Sequence, residues 1–315
     1  MSKSKSFVCA AVLLIVVGGV GYLQFRQYRL PIAVEDRASG AIVIEALAQE
    51  GAIPAIEEPV FESVASADMY LRNDGLGTLV TSRGRARFYP YQILVWHEAV
   101  NDSFAGDDLL ITYAPLTFTS AVYERDLQDE PAVFDVSGKV ADSNTLLMDR
   151  ATKSLWSQAT GKAIEGSLTG MELQRVVSWT ISWTTFKNLY PAGEVLSRET
   201  GVERDYTQDP YESLGYTDSA DIWFPLSRED GRLPAKQLVV GVPGGSTVYP
   251  LEGPFGSVIV SPQGARVNIL WDEDLEAPQG FEEDSAGKRI EVPLLHAYWF
   301  YWATMNPDVS VPTLP

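Results

Sequence analysis

The sequence predicts a mainly β fold, with α+β as the second choice. It is built as two unequal, pseudo-repeated β-rich halves with a few short helices, preceded by one transmembrane helix. Three observations carry this. Short runs of strand composition alternate with turn signals such as Gly75–Gly77, Arg83-Gly84, Ala105-Gly106, Gly138, Gly161 and Gly166. Amphipathic periodicity long enough for a substantial helix is scarce. Two segments recur in the same order: Gly84–Pro90 matches Gly244–Pro250 at an offset of 160, and Trp183–Pro191 matches Trp299–Pro307 at an offset of 116. A repeat of this length suggests two related halves rather than a solenoid of many short units.

Taken in order, residues 1–6 form a cytoplasmic tail and 7–25, FVCAAVLLIVVGGVGYLQF, a signal anchor. That segment has no charged side chain and suffices to cross a bilayer as a helix. Lys3, Lys5, Arg26 and Arg29 flank it, leaving 20 basic against 42 acidic residues in the rest of the chain. This imbalance and the lack of a second span put the remainder outside, with secretion after signal cleavage as the alternative. Residues 26–52 read as a stalk. The first half spans 53–235. In it Ile53–Ile56 and Pro59–Phe61 are extended, Ser63–Leu71 is a short helix, and Leu109–Tyr113, Ala132–Val136 and Thr145–Met148 are strands. A helix is expected near Trp179–Tyr190. The shorter second half, 236–315, opens with a strand at Lys236–Val242 and has a helix near Leu295–Met305.

Composition narrows the functional classes. Apolar content of 45% is that of an ordinary globular chain, and a net charge of −18 argues against nucleic acid as a partner. The single cysteine, Cys9, lies in the anchor, so neither a disulfide framework nor a cysteine metal site is possible. Nucleophile-elbow, P-loop, dinucleotide-binding and zinc-protease motifs are absent.

Candidate chemistry concentrates in the first half. His97 suits a general base or a copper or zinc ligand, with Glu98, Asn101 or Asp102 orienting it or sharing the metal. The preceding Tyr91–Val95 alternates loosely, which puts His97 and Glu98 on opposite faces unless a strand ends there. Asn101-Asp102-Ser103 also has turn chemistry, which would by itself account for those residues. The run Asn144–Gly161 reads as a hairpin turning at Asp149–Lys153, with Trp156 packed. The functional alternative gathers Asn144, Ser157 and Gln158 at a polar pocket. Arg198 belongs to a polar, aromatic loop, where it holds an anion or is pinned with its neighbours by Arg–Asp pairs. His296, ahead of an aromatic run, sits where the second copy's helix starts and is not equivalent to His97.

Several blocks together resemble a prokaryotic family of unknown function, DUF3179, over about residues 53–310. They are Ile53-Pro54-Ala55, Arg87–Pro90, Trp96–Asp102, Thr112–Thr117, Asp149-Arg150 through Leu155–Gln158, Ser197–Gly201 and Asp209–Tyr211. In the family the tyrosine equivalent to Tyr113 is usually followed by cysteine, and some members carry selenocysteine at such a position. The resemblance therefore implies redox or soft-metal chemistry in the relatives. Here the position is Ala114, which can neither attack nor ligate, and Phe118 stands where a glycine is usual. The expectation is a pocket walled by His97, Asn101, Tyr113 and Trp156 that binds a ligand or metal without the reactive atom. A cysteine-independent enzyme using His97 with Asp102 or Glu98, or a structural envelope protein, are the alternatives.

Overall fold

The computed structural model describes residues 34–35, 41–46, 51–127, 130–251, 257–260, 266–283 and 287–312. The expected anchor over 7–25 lies outside these residues, and no described helix is long and apolar enough to cross a membrane.

The chain is mainly β with five short helices among the described residues. The strands Ala99–Phe104, Asp107–Ala114 and Thr119–Glu124 form consecutive antiparallel hairpins, with Arg175–Val176 added at one edge. The middle strand is buried along its last six residues, because each of its faces has an apolar neighbour. Leu110 packs with Phe134, Val136, Leu147 and Trp156 on the facing sheet, which contains Phe134–Ala141, Asn144–Asp149 and Leu155–Ser157. Ile111 and Tyr113 point the other way, into the largest core cluster, as strand alternation requires.

The internal echo holds residue by residue. In the first half, Leu76–Ser82 pairs with both Arg85–Pro90 and Trp179–Ser182, and the last of these runs directly into the helix Trp183–Leu189. In the second, Leu238–Gly241 pairs with both Val248–Pro250 and Leu295–Tyr298, which runs into the helix Trp299–Met305. Gly77 faces Pro90 and Ile181, while Val239 faces Pro250 and Ala297. The helix starts are tied back alike: Trp183 and Thr184 donate to the carbonyls of Gly75 and Asn73, Trp299 and Phe300 to those of Gln237 and Ala235. Even the indoles correspond, since Trp183 Nε1 donates to the Asp68 carboxylate and Trp299 Nε1 to the Asp230 carbonyl, at 2.8 and 3.0 Å. After each helix the chain returns parallel to the hairpin, with Glu194 beside Arg87 and Ser310 beside Thr247. The difference in length lies in what each copy inserts: residues 91–178 in the first, 251–294 in the second.

The two copies share one core. Val239, Val248, Leu295 and Tyr298–Ala303 pack in the same cluster as Tyr89, Ile93, Ile111 and Tyr113. Tyr298 N also donates to the Thr117 carbonyl across the halves.

Three local expectations are corrected. Tyr91–His97 is a helix, started after Pro90, whose fixed backbone and missing N–H suit a helix entry. Asn101 and Asp102 lie in the strand Ala99–Phe104 with both side chains buried, and the turn falls at Ala105-Gly106. Lastly, among the described residues no Arg–Asp pair pins the loop around Arg198 and Arg204. Arg198 stacks on the Tyr70 ring at 3.8 Å, and the loop is anchored by Tyr206, Asp209 and Tyr211.

Candidate functional site

The helix Tyr91–His97 ends at Glu98, which adopts φ +56° and donates its N–H back to the Leu94 carbonyl at 2.7 Å. A left-handed residue at this place closes a helix and is usually glycine. Its consequence here is that His97 and Glu98, adjacent in sequence, are both buried.

They meet different surroundings. His97 Nδ1 lies 2.7 Å from the Pro54 carbonyl, which only accepts, so this nitrogen carries the proton. Nε2, 2.7 Å from the Tyr206 hydroxyl, therefore accepts, and Tyr206 in turn meets Thr200 at 2.6 Å. Burial pushes the imidazole down to about 4, so the ring is neutral. With both nitrogens engaged it has no lone pair for a metal. Among the described residues no three His, Cys, Asp or Glu side chains gather to hold one.

Glu98 accepts hydroxyl hydrogen bonds from Thr145 at 2.5 Å and Tyr211 at 2.9 Å. No cation is paired with it among the described residues. Burial raises the carboxyl to about 7, against a smaller opposing effect of the two hydroxyls. Glu98, Thr145 and Tyr211 line a cleft of about 80 Å³ whose walls include Trp96, Leu116, Val136, Val140, Trp223 and Phe224. The aromatic walls are held in place: Trp96 Nε1 donates to the Gln208 carbonyl at 3.0 Å, and Trp223 stacks on Tyr211 at 6.0 Å. A carboxyl near its midpoint at neutral pH, set in an apolar cleft, can donate or accept a hydrogen bond, exchange a proton, or neutralise a cation.

The other candidates serve the fold around this cleft. Asp102 pairs with Arg87 and accepts from the Tyr89 hydroxyl, each at 2.6 Å, in a nearly buried cluster that continues to Glu194. Asn101 joins two sheets by exchanging hydrogen bonds with the backbone of Phe134, 2.9 Å to its oxygen and 2.8 Å from its nitrogen. Tyr113 stacks on Tyr91 at 4.1 Å inside the core. Ala114 ends its strand fully buried, beside a closed network of side-chain amides and hydroxyls. There Asn144 Nδ2 lies 2.8 Å from Thr117 Oγ1 and 3.0 Å from Gln158 Oε1, and Gln158 Nε2 donates to Thr112 Oγ1 at 2.8 Å. Trp156 donates to Asp149 at 3.0 Å, and Asp149 caps the hairpin turn through Thr152. Ser157 is half-buried and accepts from the Thr160 N–H at 3.3 Å. Arg198 lines a second, roomier cleft of about 490 Å³ with Glu62, Glu199, Glu203 and Arg204, the last of which also lines the first.

Of the sequence-derived candidates, then, only Glu98 lines the aromatic-walled cleft, and Arg198 lines the other. Thr145, Tyr211, Trp223 and Phe224 were missed as site residues. Asp209-Pro210-Tyr211 carried a usable signal, being an N-cap followed by proline, which places Tyr211 at the start of a helical turn.

The fold and cleft define a β-rich, internally duplicated domain with one buried carboxyl at the wall of an apolar cleft. The family model for a protein of unknown function, DUF3179, matches residues 50–295, and the chain belongs to that family. No curated protein and no solved structure matches the chain.

Proposed function

We propose that this chain is a binding protein, held at the membrane by residues 7–25 with its β domain outside, and that it takes a small molecule in the Glu98 cleft. The observation that carries this reading is a buried carboxyl without a cationic partner, placed in an open, aromatic-walled cleft. An unpaired buried charge is costly to a fold, and the closed Asn144–Gln158 network shows how this chain satisfies polar groups that only build structure. Of the two ligand classes open from the sequence, a small molecule fits better than copper or zinc, because His97 has no free nitrogen.

The test is a thermal-shift and ligand-observed NMR screen of the full chain in detergent, with Glu98→Gln as control. A ligand that stabilises the wild type and fails on the variant supports the reading. A library that shifts neither protein counts against it. Carbonate extraction and protease protection of membranes check the anchoring, which predicts an integral protein with its domain cleavable from outside.

A second reading, a cysteine-independent enzyme, keeps one specific support. Glu98 raised to about 7 is suited to general acid–base work near neutrality, with Tyr211 beside it. His97 and Asp102 are not its partners in that reading, since each is engaged in holding the fold.

A further inference from the structure

The reading of the cleft as a ligand site can be taken further, to the chemistry of the ligand. We propose that the Glu98 cleft recognises a small organic cation, a primary or secondary ammonium carried on an aromatic or aliphatic body.

Three observations support this. First, Glu98 has no cationic partner among the described residues. Its oxygens accept only from the neutral hydroxyls of Thr145 and Tyr211, and each oxygen retains a second lone pair. Of the other buried acids, Asp102 is paired with Arg87, while Asp142 and Asp149 accept three hydrogen bonds each from N–H and hydroxyl groups, one more than Glu98. Second, the walls around this carboxyl include Trp96, Trp223, Phe224 and Leu116. Aromatic faces attract ammonium groups and cost an apolar body nothing in lost hydration. Third, the chain carries a net charge of −18, a field that concentrates cations rather than anions at its clefts.

The groups facing Glu98 are consistent with this assignment. Tyr211 and Tyr113 are both held protonated far above the usual phenol range, chiefly by burial, and Asp209 adds to this for both. Lys139 and Arg204 line the same cleft, but neither forms an ion pair with Glu98 among the described residues. A bound ammonium would take the place of a proton on Glu98, so binding is coupled to deprotonation. Affinity for an amine is therefore expected to rise as pH increases through about 7, while affinity for a neutral analogue is flat.

The test compares three probes of one shape, 2-phenylethylamine, 2-phenylethanol and phenylacetate, by tryptophan emission and equilibrium dialysis on the full chain in detergent. The amine is expected to bind at least about tenfold more tightly than the alcohol at pH 8. Glu98→Gln is expected to erase that difference while leaving the alcohol bound. An alcohol or acid that binds as tightly as the amine, or an amine affinity independent of pH, overturns the cation assignment and leaves the cleft as a ligand site. Failure of all three probes to bind overturns both.

Discussion

Glu98 and His97 show how one peptide bond can separate two opposite electrostatic outcomes. Burial acts on both by penalising the charged form, so it raises the acid and lowers the base. His97 and His296 are each held near 4 against an ordinary 6.5. Their contribution to stability is complete above 6.5 and is lost as pH falls toward 4. Glu98 has the reverse sign. Its carboxyl is raised from 4.5 to about 7, so ionisation burdens the fold above 7, and the burden lifts as pH falls toward 4.5. The stability of Glu98→Gln relative to wild type is therefore expected to climb between pH 4.5 and 7. The total is about 3 kcal/mol, read by denaturant unfolding across that range. A flat difference would show that Glu98 ionises normally. Asp102 gives a contrasting case. Its partner Arg87 is also nearly buried and keeps only the more exposed Glu194 when Asp102 is removed, and the buried Tyr89 hydroxyl loses its acceptor, so Asp102→Ala should cost about 2–4 kcal/mol at neutral pH in the same assay. At this scale the sequence identified residue types but not their states. Glu98 and Asp102 are both acids beside His97 in the sequence, and only their distant partners, Tyr211 for one and Arg87 for the other, separate a cleft residue from a strut.

Among the elements, those governed by local chemistry were the legible ones. The Asn144–Gln158 hairpin follows from Asp149, which accepts from Thr152 N at 2.6 Å and from Trp156 Nε1 at 3.0 Å, all within seven residues. Phe118 is a further instance. Its φ of +53° lies in the left-handed region that favours glycine. Its ring lies edge-on to Tyr91 and Tyr113 at 6.0 Å, which offsets part of the strain. The helix Tyr91–His97 was not legible, because its burial on nearly every side removes the polar face that marks an amphipathic helix. The network beside Ala114 yields a prediction at this scale. Gln158→Leu leaves Thr112, Thr119 and Asn144 without their amide partner in the buried interior. It should cost roughly 2–3 kcal/mol in urea unfolding. A smaller loss would mean that the hydroxyls re-pair among themselves.

For the whole molecule, duplication of the hairpin–strand–helix unit accounts for the scaffold, and the larger insertion of the first copy, with the segment that joins the two copies, accounts for the site. The second copy is more than a spare half, because Tyr298–Ala303 fills the core on which Tyr113 and the His97 helix rest. A chain ending at residue 235 would expose that apolar face and lose the Tyr298–Thr117 bond. It is expected to lack the sharp near-ultraviolet dichroism and single cooperative transition of the full chain. A truncated chain with native-like melting would instead make the halves independent domains. The duplication was visible in the sequence from the Trp-to-Pro and Gly-to-Pro echoes alone, since recurring backbone and capping requirements leave recurring residues.

By itself, the sequence determined the β-rich class, the two unequal copies, the hairpin at Asp149 and the absence of a thiol at position 114. Each of these is written in residues close together in the chain, or in spacings that survive without coordinates. Only the tertiary structure decided which polar residues are closed and which are open. Glu98 faces a cleft because Thr145 and Tyr211, 47 and 113 positions away, come to its oxygens and no cation does. His97 is sealed because Pro54 and Tyr206 reach both of its nitrogens from 43 and 109 positions away. Burial and hydrogen-bond partnership are properties of such long-range neighbours, and they set the charge state on which any function of this site depends.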